Sequence, residues 1–320
     1  TIYITRKIHD KYLASLKEQF IVKMWEQEDI PVPREVLKQE ISHADGLLCL
    51  LTDQIDDDLL AGAPQLKIIA NMAVGYDNID IEAAKRRQII VTNTPDVLTE
   101  TTADLTFALL MATARRLIEA YDYIKEDHWQ HWSPFLLAGT DIHHKTLGIV
   151  GMGRIGEAVA QRAMGFNMKI LYHNRSRKLE VEQKLGATYV TFEQLLKEAD
   201  FVVCLVPLTE ETKYLFDAKA FRLMKSSAIF VNASRGQTVN EADLIEALRT
   251  KQIAGAGLDV FAEEPIRSDH PLMHIKEVVC LPHIGSASME TRQRMIELCI
   301  DNLVGYFQGT GVKTPVYDIE

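Results

Sequence analysis

The chain has 320 residues, 47% of them hydrophobic and 25% charged, an ordinary globular composition. Its net charge of −10 argues against nucleic acid, whose phosphates demand a basic face, and no apolar run approaches the roughly 18 residues of a membrane span, so no membrane association is expected. No signal-peptide pattern opens the sequence, and Cys49, Cys204, Cys280 and Cys299 lie in apolar stretches without metal-ligand spacing, so a cytoplasmic protein with buried thiols and no metal is expected.

The length exceeds the usual single-domain range, and two domains are expected. In chain order, β-rich runs occur at TIYIT, IVKMW, GLLCLL, LKIIANM and QIIVTN, all before residue 94. The stretch 99–127 then reads as one long helix, with Thr99 as its candidate N-cap. A second series follows: KTLGIVG, MKILYHN, ATYV, DFVVCLV, AIFVNAS, AGAGLDVF and VVCLP. Helical patterns separate these runs, as in NEADLIEALRTK with Asn240 as a candidate N-cap. The last helix, SMETRQRMIELCIDNLVGYFQG, returns the chain to the first domain. Near-continuous apolar strands alternating with helices indicate parallel sheets covered on both faces. The expected fold is α/β, with two doubly wound parallel-sheet domains: a Rossmann domain, 98–287, inserted in a flavodoxin-like domain, 1–97 and 288–320. Within the former, 98–145 forms a helix and loop arm suited to dimerisation.

KTLGIVGMGRIGEAVAQRAMGF places a glycine loop between a strand ending at Gly151 and a helix beginning at Gly156, with Gly153 between them. Such a loop admits the close approach of a pyrophosphate, and the helix N-terminus offers it N–H groups. A second strand ends at LYHNRSRK, where a dinucleotide fold usually carries an acid for the ribose 2′-hydroxyl. Here Asn174 stands instead, followed by Arg175, Ser176 and Arg177. Losing the acid removes repulsion of a 2′-phosphate, and arginine binds phosphate oxygens well, so NADP(H) is the expected cofactor with NAD(H) possible. The same polar run would also suit a solvated turn.

Three segments place reactive side chains just past strands, where open α/β sheets hold ligands. They are VNASRGQTVN with Arg235, GLDVFAEEP with Glu263 and Glu264, and VVCLPHIGSAS with His283. Together with NTP at 93–95 and a GKTLGI…GMGRIG-like run at 145–156, in which His144 replaces the usual Gly, these motifs resemble the D-isomer-specific 2-hydroxyacid dehydrogenases over nearly the whole chain. The resemblance implies a catalytic set of Arg235, Glu264 and His283, with Glu263 a solvated neighbour. Arg235 would hold the substrate carboxylate and polarise the adjacent carbonyl. His283 would exchange the proton as hydride moves, with Glu264 fixing its tautomer and favouring its charged form.

By the same resemblance the loop NMAVGYDNID offers the Val74 and Gly75 N–H groups to the substrate carboxylate. Thr102, Arg154, Ile155, Pro207, Thr212, Ala233, Asp259 and Gly285 would contact the cofactor, Asp259 on the carboxamide side of nicotinamide. Two features are similar to the glyoxylate and hydroxypyruvate reductase branch. CLLTDQID places Leu50, Leu51 and Thr52 beside a small substrate, and HWQHWSPFLLAGTDI is similar to a loop whose tryptophan reaches the partner subunit's site. Trp132 is the better match there, Trp129 the second, and indoles that only pack an interface are the alternative. The implied protein is a homodimeric NADPH-dependent reductase of a small 2-keto acid. The alternatives are a 2-ketogluconate or other D-2-hydroxyacid dehydrogenase, and a dinucleotide-sensing corepressor of the same architecture. Formate dehydrogenase is disfavoured, because it pairs the histidine with glutamine where this chain has Glu264.

Overall fold

In a computed structural model, which describes residues 1–318, the chain divides into two compact units. One comprises Thr1–Leu98 and Ala287–Glu320, the last two residues lying outside the described ones, and the other is Thr99–Ser286. The first unit is thus built from both ends of the chain, with the second inserted.

The first unit carries strands β1 (Ile2–Ile4), β2 (Val22–Met24), β3 (Gly46–Leu50), β4 (Ile68–Met72) and β5 (Ile90–Thr92), all parallel in the order β2-β1-β3-β4-β5. This is the flavodoxin-like order, with its reversal between β1 and β3. Helices α1 (Asp10–Lys17), α2 (Arg34–Ile41), α3 (Asp57–Ala61) and α4 (Ile81–Arg86) connect the strands. Short side chains start two of them: Asp56 accepts the Leu59 N–H and Asp80 the Ala83 N–H, both at 2.9 Å.

The second unit begins with α5 (Thr99–Ala114) and α6 (Leu117–Lys125). Its strands are β6 (Thr146–Val150), β7 (Lys169–His173), β8 (Thr188–Tyr189), β9 (Phe201–Cys204), β10 (Ile229–Asn232), β11 (Gly255–Leu258) and β12 (Val278–Cys280). They form one parallel sheet in the order β12-β11-β10-β9-β6-β7-β8, the Rossmann arrangement with its switch point between β6 and β9. Helices α7 (Arg154–Met164), α8 (Leu179–Leu185), α9 (Phe192–Glu198), α10 (Ala218–Leu223) and α11 (Glu241–Arg249) join them, and α12 (Met289–Gln308) closes the chain in the first unit. Phe201 and Val203 of β9 enter one hydrophobic cluster, while Val202 and Cys204 enter the other. Alternate side chains of this strand therefore bury on opposite faces, which is why it reads as an unbroken apolar run.

The expected single helix over 99–127 is two helices. After Ala114 the backbone turns at Arg116 into the left-handed region, φ 55°. The Ala114 carbonyl, which a continuous helix would use internally, instead accepts the Thr140 N–H at 2.8 Å from the arm folding back across it. Thr99 is also not a cap but the first helical residue of α5. Asn240 does cap α11, accepting the Asp243 N–H at 3.2 Å, and in the structure Ser288 caps α12, accepting the Thr291 N–H at 3.2 Å. Among the described residues no helix is long and apolar enough to cross a membrane.

Candidate active site

The glycine loop leaves β6 at the switch point of the second sheet. Gly151 has φ 101°, and a Cβ there would lie 2.7 Å from the Leu205 backbone, so glycine is required. Helix α7 starts at Arg154, earlier than the expected Gly156, because Gly153 already acts as N-cap and its carbonyl receives the Glu157 N–H at 2.9 Å. Gly156 falls in the first turn, where an added Cβ would meet the Gly151 oxygen at 2.4 Å, so it sets how closely helix and loop pack. Gly153, by contrast, faces open space: nothing lies within 4 Å of a Cβ built on it. No side chain caps this helix end. An exposed glycine before a helix N-terminus that no side chain caps fits a dinucleotide pyrophosphate.

At the end of β7, Asn174 turns inward on its own loop, its Nδ2 donating to the Ser176 carbonyl at 3.2 Å. Arg177, one of the two arginines expected to meet a phosphate, is committed elsewhere. Its Nε and Nη2 hold Glu182 of α8 in a bidentate pair at 2.7 and 2.8 Å, and the Tyr172 hydroxyl donates to the same carboxylate at 2.8 Å. These bonds hold the Glu182 carboxyl below its usual range. Glu182 escaped the sequence reading because a pair spanning five positions through a turn leaves no periodic signal. Arg175 and Ser176 are exposed.

Arg235, Glu264 and His283 follow β10, β11 and β12, three neighbouring strands, and their loops meet. The backbone of Arg235 is locked, since its carbonyl accepts Asn232 Nδ2 at 3.1 Å and Thr238 Oγ1 at 2.7 Å. His283 Nδ1 lies 2.8 Å from Glu264 Oε2, and Glu264 Oε1 accepts the Phe261 N–H at 3.0 Å. Both side chains are about a quarter exposed, 24% and 26%. Burial pushes the Glu264 carboxyl up, but the hydrogen bond and charge of His283, the Phe261 N–H and the charge of Arg235 outweigh it and hold the acid below its usual range. An ionised Glu264 only accepts, so Nδ1 carries the hydrogen and Nε2 is left as the nitrogen that can exchange a proton.

His283 itself has φ 53°, and the chain beyond it is pinned by Asp259. The two carboxylate oxygens accept the Ile284 and Gly285 N–H groups, each at 2.8 Å. Asp259 is buried, and desolvation lifts its carboxyl to about 6 against the opposing pull of those N–H groups and the His283 charge. Gly285 lies between Asp259 and Thr102 of α5, so these three expected cofactor residues are brought together. Pro207 and Thr212 share one turn, the Thr212 hydroxyl donating to the Pro207 carbonyl at 2.6 Å, and Ala233 lies in the β10 loop.

In the first unit, Val74 and Gly75 form a turn after β4 whose carbonyls are engaged: Asn93 Nδ2 donates to Val74 at 2.8 Å and Asn71 Nδ2 to Gly75 at 3.0 Å. Among the described residues no protein acceptor takes the Val74 or Gly75 N–H, so these are the groups the turn can offer. Asn78 Nδ2 donates to the Leu50 and Asp53 carbonyls at 3.1 and 3.0 Å, bracing the loop that carries Leu51. The sequence reading missed Asn71 and Asn78, although both stand in the NMAVGYDNID run it singled out. Trp132 lies on the arm after α6 and is 76% exposed.

A Rossmann sheet with an open glycine loop and a His–Glu pair beside an arginine defines a dinucleotide-dependent oxidoreductase. The family model described as D-isomer specific 2-hydroxyacid dehydrogenase, NAD binding domain, matches residues 107–285. A glyoxylate reductase of Thermococcus kodakarensis is 50% identical over 312 residues, 96% of this chain and 93% of its own length. A crystal structure of a Thermus thermophilus protein is 42% identical with a TM-score of 0.92, covering 99% of both chains. Another, of an NADPH-dependent glyoxylate/hydroxypyruvate reductase from Sinorhizobium meliloti in complex with NADP and malonate, is 35% identical with a TM-score of 0.88, covering 98% of this chain and 96% of that one. The chain belongs to the D-isomer specific 2-hydroxyacid dehydrogenase family and is an NAD(P)-dependent oxidoreductase.

Proposed function

We propose that this enzyme reduces small 2-keto acids, glyoxylate and hydroxypyruvate, to the corresponding D-2-hydroxy acids with NADPH as preferred reductant. The observation that carries the reading is the His283–Glu264 pair, 2.8 Å apart at Nδ1, beside Arg235. A bound nicotinamide dinucleotide supplies the hydride. His283, its tautomer set by Glu264, gives the Nε2 proton to the carbonyl oxygen in reduction and takes it back in oxidation. Arg235 binds the carboxylate and stabilises negative charge developing on that oxygen. On the first unit, resemblance to the family makes the Val74 and Gly75 N–H groups candidate donors to a carboxylate and Leu51 a candidate substrate contact.

The preference for NADPH rests on Asn174 in place of an acid and on the exposed Arg175, which forms no ion pair among the described residues. Relatives named as glyoxylate reductases, and the Sinorhizobium enzyme in complex with NADP, support the same choice of substrate and cofactor. Steady-state rates with a panel of keto acids, each with NADPH and NADH, test the proposal. Efficient turnover of glyoxylate and hydroxypyruvate with NADPH is expected. Preference for 2-ketogluconate would retire the substrate, and tight dinucleotide binding without turnover of any keto acid would revive the corepressor reading. We further propose a homodimer formed through α6 and the arm after it, with Trp132 entering the partner's site.

A further inference from the structure

The turn that carries Glu264 is held from two sides by side chains outside the chemistry described so far. Glu241, the first residue of α11, accepts the Ala262 N–H at Oε2, 2.9 Å, and meets His270 Nε2 at Oε1, 3.0 Å. The imidazole is itself oriented: Nδ1 accepts the Leu272 N–H at 3.3 Å, so Nε2 carries the hydrogen that Glu241 receives. From the other side, Gln237 Nε2 donates to the Ala262 carbonyl at 2.9 Å. Both polar groups of Ala262, two positions before Glu264, are thus fixed by side chains. Glu241 also faces β12, where its charge, added to burial, raises the Cys280 thiol to about 12. The remaining charged groups around the adjoining cavity of about 370 Å³ are Glu263, Arg267 and Asp269.

We propose that Glu241, with Gln237 as its counterpart, is a positioning residue that sets the Phe261–Glu264 turn so that Glu264 meets His283 Nδ1 at bonding distance. The inference rests on reading His283 and Glu264 as the acid–base pair. Apart from these two braces, the turn is closed by the Phe261 N–H bond to Glu264 Oε1. Hydrogen bonds weaken steeply with distance and angle, and an unbraced turn lets the carboxylate drift from the imidazole. His283 then loses the acceptor that fixes its tautomer and orients its ring.

The test is kinetics of the full-length enzyme with glyoxylate and NADPH from about pH 5.5 to 9, for Glu241→Gln, Glu264→Gln and the double variant. Glu241→Gln keeps the shape but presents an amide nitrogen to one of the two N–H groups, losing an acceptor. It is expected to lower kcat about tenfold and to move the alkaline limb of kcat/KM towards its position in Glu264→Gln, with the NADPH Kd within about twofold of wild type. The double variant is expected to lose less than the product of the single losses. A wild-type pH profile in Glu241→Gln, or losses that multiply, would overturn the positioning role. A Glu264→Gln enzyme with wild-type rate and profile would instead overturn the acid–base reading, and with it the proposal. If thermal denaturation shows Glu241→Gln to be unfolded, Gln237→Ala, which removes a single donor, carries the same comparison.

Discussion

The two carboxylates beside His283 differ because their surroundings differ. Glu264 is ionised against cations and remains so under mild acid, whereas Asp259 is buried with its carboxyl at about 6. In the unfolded chain Asp259 returns to about 3.9, so between about pH 4 and 6 the native state binds more protons than the unfolded one. Stability from this group is complete below pH 4 and falls as pH rises through 6, by about 3 kcal/mol in full. Asp259→Asn should flatten that slope, which urea unfolding at a series of pH values would show. A wild-type-minus-variant difference that stays constant across the window would count against it. At the adenosine end, Arg175→Ala is expected to raise KM for NADPH about tenfold and leave KM for NADH nearly unchanged, as loss of one charge-assisted contact worth about 1.4 kcal/mol would do. Equal losses with both cofactors in steady-state assays would undo the phosphate assignment.

Among elements, the glycine loop tolerates little change. An added Cβ at Gly156 would lie 2.4 Å from the Gly151 oxygen, a backbone atom that cannot swing aside as a side chain could. Gly156→Ala should cost at least about 2 kcal/mol and weaken dinucleotide binding through displacement of α7, seen in thermal melts with and without NADPH. The strands around this loop were legible in the sequence because the sheets are covered on both faces, and burial on both faces leaves an apolar run with no solvent period to confuse it. The positions of Arg235, Glu264 and His283 past three neighbouring strands were legible because the carboxyl end of a parallel strand is an address that sequence records. The break between α5 and α6 was not. Ala114–Leu117 retains good helix formers, and what stops the helix is the Thr140 N–H arriving from 26 residues further on. The commitment of Arg177 to Glu182 was hidden for a similar reason: local composition shows that a charge is present, not which neighbour has taken it.

For the molecule as a whole, α6 has no buried residue and presents Leu117, Tyr121 and Ile124 to solvent, continued by Trp132 and Phe135. These exposed apolar side chains are what the proposed homodimer interface rests on. Tyr121→Asp with Ile124→Asp is expected to turn a dimer into monomers in sedimentation velocity, and a wild-type species that already sediments as a monomer would remove the proposed interface. The inserted unit has another property, set by where it starts and stops. Thr102, near its first residue, and Gly285, next to its last, are within van der Waals reach of each other, 3.4 Å for a Cβ built on the glycine. A module whose entrance and exit adjoin can be lifted out of its host without leaving a gap in either. Residues 99–286 expressed alone should therefore form a stand-alone nucleotide sensor, retaining NADPH with a Kd within about tenfold of the parent while reducing nothing, and a fragment that is unfolded by circular dichroism would show that the host is needed to hold it together.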